Sequence, residues 1–384
     1  MEVKQIYSLV NNITGEILGK SDLLKEDLSN VVDVGTEVFN ASDVDSYVKS
    51  LVNHIGRVIF VNRAYSGNGV GVLRDAWEFG SVLEKITAEL PDAEENESWS
   101  LEDKASYDVN VFYSPKVSAK FWNMKTTFEI PMSFTEMQVK QSFSNAAQLN
   151  GFISMLYNAV EKAMTIKIDS LVMRTINNMI AETVYAEYNG ASLSQSSHVK
   201  AVNLLYLYNQ RYSTSLTAAN AVTDPDFIRF AAYEMGVYSS RISKISTLFN
   251  VGGKDRFTPV DLLHIVMLSD FRNAANVFLQ SDVFHDAFTR LPNAESVPYW
   301  QGSGQSYGFS DISSIKVTTA SGHDVEVGGI LGVMFDHDAL GVTNLDRRVT
   351  TNYNAKAEFY SNWFKFDCGY FNDMNENFVV FFVA

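Results

Sequence analysis

The chain has 384 residues, of which 46% are hydrophobic and 20% charged, a charged fraction below the roughly 25% of soluble globular proteins that predicts a surface partly covered by partners. Its formal net charge of −15 argues against tight sequence-independent binding of nucleic acid, which needs clustered Lys and Arg. Its single cysteine, Cys368, excludes an intrachain disulfide framework and any zinc site built on several cysteines.

The N-terminal region predicts an extended arm followed by a short helix and a strand. In residues 1–40, turn-forming residues separate short apolar clusters without sustained periodicity. Residues 41–56 have apolar residues at helical spacing, and residues 57–64 predict a strand. Residues 1–20 lack the basic start and apolar block of a signal peptide. The chain has no run of about 18 apolar residues, so we expect no membrane-spanning helix.

Residues 65–131 predict strands separated by turns and arranged as a projecting loop. Its outgoing arm is predicted at residues 84–90, and its returning arm at residues 108–113 continuing into residues 120–130, where apolar and polar residues alternate. The acidic run PDAEENES, residues 91–98, lies at the tip. It is either a solvated tip or a surface that meets a basic patch on a neighbouring subunit.

A very long helix is predicted at residues 146–188, where apolar residues recur at helical spacing and Gly190 follows as a C-terminal stop. One helix of this length is about 65 Å long. A compact globule of the same chain has a diameter of roughly 55 Å. We therefore expect the helix either to break near residues 165–167 or to run through a subunit whose broad edges are covered by copies of itself.

Residues 190–300 predict a more helical region. Thr223, Asp224 and Pro225 form a helix start, and the helix is predicted to run to Leu248. Residues 259–268 fit a buried strand or a helix equally well, because the apolar run is too short for periodicity to decide. Ser269 and Asp270 are expected to cap another helix that extends to residue 284.

The chain is predicted to be rich in strands after residue 298. The expected strands are a hairpin of residues 312–319 and 324–327, then residues 330–335, 342–353, 357–366 and 378–383. Because the last segment, NFVVFFVA, is strongly apolar, we expect it to be held in a sheet on which the long helix packs.

Motifs for catalysis or for cofactor and metal binding are weak. The glycines of residues 67–71 lack the spacing of a nucleotide-binding loop and predict a turn. Residues 336–338, Asp-His-Asp, predict a capped turn, because neighbouring residues of a strand point in opposite directions. Cys368 is expected to be a small core residue. We therefore expect no catalytic, cofactor-binding or metal-binding residues, although a pair of distant carboxylates cannot be recognised in a sequence.

Several stretches resemble the major head protein of phi29-like short-tailed phages, which has the HK97-type fold of tailed-phage capsid proteins. The similar stretches are LVNHIGRVIFVNRA (residues 51–64), FYSPKVSAKFWNMKTTFEIPMSF (112–134), AAQLNGFISMLYNAVEKAM (146–164), the segment 330–366 and the closing NFVVFF. The resemblance as a whole extends over about two thirds of the chain, whereas residues 190–300 resemble the family poorly.

The resemblance implies an α+β chain with the HK97-type capsid fold. The implied parts are an N-terminal arm (1–40), the first part of a peripheral domain (41–82), an extended β-loop (83–130), the peripheral domain with its long spine helix (131–190), an axial domain (191–325), and a C-terminal antiparallel sheet that closes the peripheral domain (326–384).

The resemblance also implies a function, that of a major capsid protein assembling into pentamers and hexamers of an icosahedral head. The head would enclose double-stranded DNA and contact it weakly. Copies of the chain, a scaffolding protein and a portal protein at one vertex are the implied partners, and the virion, assembled in the host bacterial cytoplasm, is the implied location. Two alternatives stay open: an encapsulin-like nanocompartment shell, and a carbohydrate-active hydrolase with paired carboxylates.

Aromatic and acidic residues of the projecting loop are the candidates for contacts between subunits, because aromatic side chains are enriched in protein interfaces. The candidates are Trp99, Tyr113, Phe121, Trp122, Glu94, Glu95 and Glu97. Some relatives seal the shell with a Lys to Asn isopeptide bond, and Lys85, Lys104, Lys116 and Asn354 are present here. The sequence does not single out a pair among them.

Overall fold

A computed structural model describes residues 73–74, 83–91, 110, 114–135, 146–280, 295–301 and 307–384. The predicted arm (1–40), the helix at 41–56, the strand at 57–64 and the glycine segment 67–71 lie outside these residues. Within the described part, long helices and mainly antiparallel strands occur together. The predicted α+β class is confirmed.

The helices of the described residues are α1 (Ala146–Tyr188), α2 (Leu204–Tyr212), α3 (Ala218–Ala221), α4 (Pro225–Ile242), α5 (Ser269–Gln280) and α6 (Phe309–Ile312). The strands are β1 (Leu73–Arg74), β2 (Leu83–Ala88), β3 (Val117–Trp122), β4 (Lys125–Thr135), β5 (Ala201–Asn203), β6 (Leu263–Leu268), β7 (Glu295–Val297), β8 (Ile315–Thr318), β9 (Asp324–Val327), β10 (Ile330–Asp336), β11 (Leu340–Asn354), β12 (Phe359–Asn372) and β13 (Phe378–Phe382).

Helix α1 is a single unbroken helix of 43 residues with the predicted bounds. Its buried apolar side chains recur every three or four residues: Val160, Met164, Ile168, Leu171, Val172, Ile176, Met179, Ile180 and Val184. The helix ends where Asn189 and Gly190 take positive φ values of 46° and 80°. Glycine adopts this conformation at little cost, so Gly190 stops the helix as predicted.

The chain divides into two compact units, of which the first comprises Met1–Glu78, Lys125–Arg174 and Val342–Gly369. Its described strands form a sheet in the order β1-β11-β12-β4, with β12 antiparallel to β4. Along most of β12, side chains alternate between buried and partly buried. This alternation is expected of a strand that has only one face on a core.

An ionic contact joins three strands of the four-stranded sheet. Asp367 of β12 accepts hydrogen bonds from Thr127 of β4, at 2.6 Å, and from Arg348 of β11, at 2.8 Å. Burial alone raises the pKa of Asp367, but these hydrogen bonds outweigh burial and hold the pKa below its ordinary value. The carboxylate therefore stays charged and links its strand to both neighbours.

The second compact unit comprises Phe79–Met124, Thr175–Gly341 and Tyr370–Ala384. Its largest sheet has the strand order β5-β13-β10-β6-β7. Strand β13 lies between β10, to which it is antiparallel, and β5, to which it is parallel, and every residue of β10 and β13 is buried. Tyr188 at the end of α1 contacts Phe382 of β13 edge-on, with ring centroids 6.0 Å apart. The expected position of the last strand is confirmed.

The resemblance implied that the strands of residues 326–384 form one sheet, but the structure divides them between two sheets. Strands β11 and β12 join the four-stranded sheet, whereas β10 and β13 join the five-stranded sheet. The apolar pattern explains the division. Strands β10 and β13 are apolar on both faces and need cover on both, whereas β12 alternates and needs cover on one.

Helix α4 begins as predicted and ends earlier. The side chain of Asp224 accepts a 2.8 Å hydrogen bond from the amide of Phe227, and Pro225 is the first helical residue. The helix ends at Ile242 instead of Leu248, because the backbone of Ser246 pairs with Arg256. Residues 260–268 become a one-turn helix and strand β6, since β6 has partner strands on both sides.

Two hairpins belong to the second unit. Strands β8 and β9 pair antiparallel around a turn in which Gly322 has a φ of 84°, and this hairpin was predicted. Strands β2 and β3 pair antiparallel from Leu83 opposite Trp122 to Ala88 opposite Val117. The predicted returning arm is interrupted at residues 123–124, so that β3 pairs with β2 while β4 joins the four-stranded sheet.

Candidate functional site

The β2–β3 hairpin has two chemically different faces, which follow from its register. Successive side chains of a strand point to opposite faces, and directly paired residues share a face. One face, the inner face, carries Leu83, Lys85, Thr87, Ser118, Lys120 and Trp122. The other, the outer face, carries Glu84, Ile86, Ala88, Val117, Ala119 and Phe121.

The outer face is apolar and exposed. Its large side chains, Ile86, Val117 and Phe121, have exposed fractions of 64%, 60% and 61%. Only Glu84 on this face is charged. Contiguous exposed apolar surface of this kind marks interaction sites in soluble proteins, whereas apolar residues exposed singly do not. The outer face is therefore a candidate docking surface.

The inner face is fixed to the second unit by ion pairs. Lys85 Nζ donates to Asp373 Oδ2 at 3.1 Å and to Glu376 Oε1 at 2.7 Å. Lys120 Nζ donates to the other oxygen of Asp373 at 2.9 Å. Arg256 Nε lies 3.1 Å from the same Glu376 oxygen. We call these five residues the anchor cluster, and it holds both strands of the hairpin at once.

Asp373 is the centre of the anchor cluster and is almost fully buried. Burial raises the pKa of its carboxyl group. The hydrogen bond from Lys120, the charge of Lys85 and a hydrogen bond from the amide of Asn375 together outweigh burial, so that the pKa lies below its ordinary value. Asp373 therefore keeps its negative charge at neutral pH.

Trp122 and Phe121 are neighbours in sequence with opposite environments. Trp122 is 8% exposed, its indole N–H donates to the carbonyl of Asn372 at 3.2 Å, and its ring lies 5.3 Å from that of Phe371. Phe121 points the other way and is exposed. Trp122 was a predicted intersubunit contact, but its side chain is engaged within its own subunit. The predicted contact of Phe121 with a neighbouring subunit stays a prediction, which the exposure of its side chain supports.

The other predicted contact residues cannot be placed. Trp99, Tyr113, Glu94, Glu95 and Glu97 lie outside the described residues, and their role stays a prediction. The anchor cluster, in contrast, was missed in the sequence. Its members are separated by up to 291 positions, and neither periodicity nor a local motif brings lysines 85 and 120 together with residues 373 and 376.

Among the residues that the structure describes, few are suited to metal or nucleophilic chemistry. Within the described ranges, His, Cys, Asp and Glu side chains do not gather in a group of three or more suited to a metal ion. Cys368 is buried, and burial raises the pKa of its thiol to about 12, so it is not a nucleophile at neutral pH. The predicted capped turn is present, with the amide of Asp338 donating to Asp336 Oδ1 at 2.8 Å.

Two histidines that are far apart in sequence form a pair. Nε2 of His264 lies 3.0 Å from Nδ1 of His337, and the rings are stacked with centroids 5.2 Å apart. Only one nitrogen of such a contact carries the shared proton. Sequence spacing did not suggest this pair, because β6 and β10 become neighbours only in the folded sheet.

Among the helices in the described part of the chain, α1 included, none has the sustained apolar run that a membrane span requires.

Comparison with known proteins gives one family and a set of similar folds. The family described as Phi29-like phage major capsid protein matches residues 9–382. The capsid structure of Staphylococcus phage Andhra contains a chain with a TM-score of 0.50 and 10% identity, covering 83% of this chain and 84% of that one. The structure of the head fiber and inner core protein gp22 of native bacteriophage P68 contains another, with a TM-score of 0.50 and 10% identity over 84% and 86%. No curated protein matches.

Proposed function

Since the chain belongs to the family of Phi29-like phage major capsid proteins, we propose that its copies assemble into the pentamers and hexamers of an icosahedral head. Its role as a major capsid protein follows from the family, and its fold is the HK97 type of phage capsid proteins. The chain is a structural component of the phage virion. The arrangement of subunits, and the surfaces that join them, are what we propose here.

The outer face of the β2–β3 hairpin carries this proposal. We propose that it packs on a neighbouring copy in the shell. Fully burying a large apolar side chain is worth about 1.5–3 kcal/mol relative to leaving it exposed, and Ile86, Val117 and Phe121 are all exposed in the single chain. The anchor cluster fixes the hairpin before contact, which lowers the entropy cost of binding.

The organisation of the family suggests what the other parts of the subunit do. Residues 83–130 would form the extended loop that lies across a neighbour, and residues 191–325 would surround the centres of pentamers and hexamers. The remaining described parts, with the long helix α1, would form the peripheral domain. The β2–β3 hairpin supports the first of these assignments, because its outer face is apolar and exposed.

The partners that we propose follow from the same function. The DNA inside the shell would be contacted weakly, because a net charge of −15 opposes tight binding to phosphates. A scaffolding protein would act during assembly, and a portal protein would occupy one vertex. Assembly would take place in the cytoplasm of the host bacterium.

Electron microscopy of the expressed protein, with and without scaffolding protein, tests this proposal. We expect closed shells from the wild-type chain and from Ile86→Val, which keeps the outer face apolar. We expect the double variant Ile86→Asp, Phe121→Asp to fold and to remain unassembled, because it places two charges on the contact surface. Circular dichroism reports on its folding.

Two outcomes would contradict the proposal at different levels. Discrete monomers of the wild-type chain under all conditions would show that the chain does not assemble into a shell. Shells of the double variant at wild-type yield would show that the outer face is not a contact, while leaving the shell intact.

The family does not favour the two alternatives that the sequence left open. A nanocompartment would contain packaged enzyme instead of DNA, and analysis of the contents of purified particles distinguishes the two. A hydrolase would show turnover that one carboxylate substitution abolishes. That the chain has no catalytic activity is part of our proposal, and it rests on the structural role of the family.

A further inference from the structure

The pair formed by His264 and His337 has room for one proton between its rings. The facing nitrogens, His264 Nε2 and His337 Nδ1, are 3.0 Å apart. When both rings are neutral, one of these nitrogens donates its N–H and the other accepts. When one ring is charged, that ring donates, and a charge-assisted hydrogen bond is stronger than a neutral one. When both rings are charged, two N–H groups point at each other, so the hydrogen bond is lost.

The surrounding packing ties the pair to the ends of two strands. The ring of His264 lies on that of Phe335, with centroids 5.4 Å apart, and Phe335 lies on Phe378, with centroids 5.7 Å apart. Both phenylalanines are buried. The amide of His337, just after β10, donates to the carbonyl of Leu262, just before β6, at 2.9 Å. Separation of the two imidazole rings therefore disturbs this stack and the adjoining ends of β6 and β10.

The charged groups around the pair favour the uptake of protons. Acidic side chains lie on the adjoining segments: Asp261 before β6, Glu295 on β7, Asp336 and Asp338 at the end of β10, and Asp373 and Glu376 before β13. A negative charge nearby favours the charged form of imidazole. The cation nearest to this turn, Lys85, is itself paired with the last two of these carboxylates. Histidine in water takes up its proton near about pH 6.5, so mildly acidic solution is the range in which this pair is charged.

The turn that carries His337 also supports the anchor cluster. The carbonyl of Asp338 lies 3.4 Å from Nζ of Lys85, and the carbonyl of Ala339 accepts a 2.7 Å hydrogen bond from the amide of Asp373. Lys85 and Asp373 hold the β2–β3 hairpin, and all of these residues belong to the second unit. A displacement of residues 337–339 is therefore transmitted to the hairpin.

We propose that the histidine pair is a pH-sensitive switch, which loosens the β2–β3 hairpin when both of its rings are protonated. Near neutral pH the rings share one hydrogen bond and fix the turn. In the unfolded chain both rings take up a proton, whereas the intact pair takes up one. The folded arrangement therefore loses stability as the pH falls below about 6.5. The switch acts within a single subunit and does not rest on the proposed function.

Hydrogen exchange of the unassembled full-length chain between about pH 7 and pH 5 tests this proposal. The amide of Glu89 donates to the carbonyl of Lys116 and reports on the hairpin, and the amide of Val380 donates to the carbonyl of Lys200 and is the reference in the five-stranded sheet. Each exchange rate is divided by the intrinsic rate at the same pH. We expect the protection of Glu89 relative to Val380 to fall by about tenfold, because one additional proton shifts an equilibrium by up to tenfold per pH unit.

A variant that keeps the hydrogen bond without the second charge identifies the origin of this response. In His337→Asn the side-chain oxygen takes the place of Nδ1 and accepts from His264 whether that ring is neutral or charged. Glu89 should then keep its protection over the same pH range. His323→Asn removes a histidine that stacks on Tyr185 instead, and as the matched control it should respond like the wild type. His264→Gln, which replaces the other nitrogen of the pair, serves if His337→Asn does not fold.

The proposal is wrong if Glu89 keeps its protection in the wild type down to pH 5, or if Glu89 and Val380 lose protection together, which indicates global unfolding. It is also wrong if the response persists in His337→Asn or is abolished in His323→Asn. Nitrogen-15 NMR of the histidine rings gives an independent check, because two fully protonated rings beside a protected Glu89 amide would exclude the coupling. Shell formation at neutral pH is measured separately, so failure of the switch leaves the proposed function standing.

Discussion

The five-stranded sheet and the β2–β3 hairpin belong to the same compact unit and use apolar residues in opposite ways. In β10 and β13 every side chain is buried within the subunit. In the hairpin, the lysines point inward to the anchor cluster and the apolar side chains point outward. The sheet stabilises the subunit, whereas the hairpin leaves its apolar side chains exposed, where we propose that a neighbouring copy packs. An apolar residue in a predicted strand is therefore not evidence of a core position by itself, because its burial depends on the elements that pack on that strand.

We expect the largest loss of stability from a substitution in the five-stranded sheet. Phe381→Ala should lower the free energy of unfolding by about 3–5 kcal/mol, because it removes a fully buried ring from β13, an interior strand of the sheet. Chemical denaturation followed by circular dichroism measures the effect, and Tyr307→Ala at an exposed position is the control. A loss as small as that of the control would show that the sheet is not the core of the unit.

We expect an intermediate loss of stability from a substitution in the anchor cluster. Asp373→Asn should cost roughly 1.5–3 kcal/mol, since it removes a buried carboxylate that accepts hydrogen bonds from two lysines. Hydrogen exchange should become faster at the amide of Glu89, which bonds to the carbonyl of Lys116 across the hairpin. The exposed Asp226→Asn is the control. Unchanged exchange in the hairpin would show that the cluster does not hold it.

Acidification should have a smaller effect on stability, through loss of the ion pairs that hold the hairpin. The pKa of Asp373 lies below its ordinary value, so its pairing stabilises the folded chain above that ordinary value, and the stabilisation is lost as the pH falls through the lowered pKa. The midpoint of thermal unfolding should fall more steeply below about pH 4 in the wild type than in Asp373→Asn. If the unfolding midpoints of the two proteins fell equally steeply with pH, Asp373 would not be the origin of the acid sensitivity. The difference isolates Asp373, because Glu89 and Asp367, whose pKa values are also lowered, are present in both proteins.

The smallest effect on stability is expected on the outer face. Phe121→Ala should change the free energy of unfolding by less than about 0.5 kcal/mol, because the ring is exposed. Its neighbour gives the matched comparison, since Trp122→Ala removes a buried ring and should cost several times more. Chemical denaturation of both variants measures the difference. Equal losses would show that the two faces of the hairpin do not differ.

The sequence predicted local structure well where one pattern continued without interruption. Helix α1 has the predicted bounds because its periodicity is continuous and Gly190 provides the stop. The start of α4 and the β8–β9 hairpin were correct for a similar reason, since caps and turn residues act locally. The family named from short similar stretches is confirmed over residues 9–382.

The errors lie where distant partners decide the structure. Alternation continues through residues 120–130, yet the strand is divided because β3 and β4 pair with different strands. Ile245 and Leu248 have helical spacing but follow the end of α4, because Ser246 pairs with Arg256. Alternation also cannot tell which of Phe121 and Trp122 faces the core. The anchor cluster could not be predicted, because its members meet only in the folded chain.

The position of β13 in its sheet has a consequence for synthesis. Val380 pairs with Ala201, and the ribosome needs on the order of 10–40 s to reach one from the other at roughly 5–20 residues per second. Until then the nascent chain lacks the strand that separates β5 from β10. We expect a polypeptide interrupted before residue 378 to remain unfolded in this region, so that only products that contain β13 enter a particle.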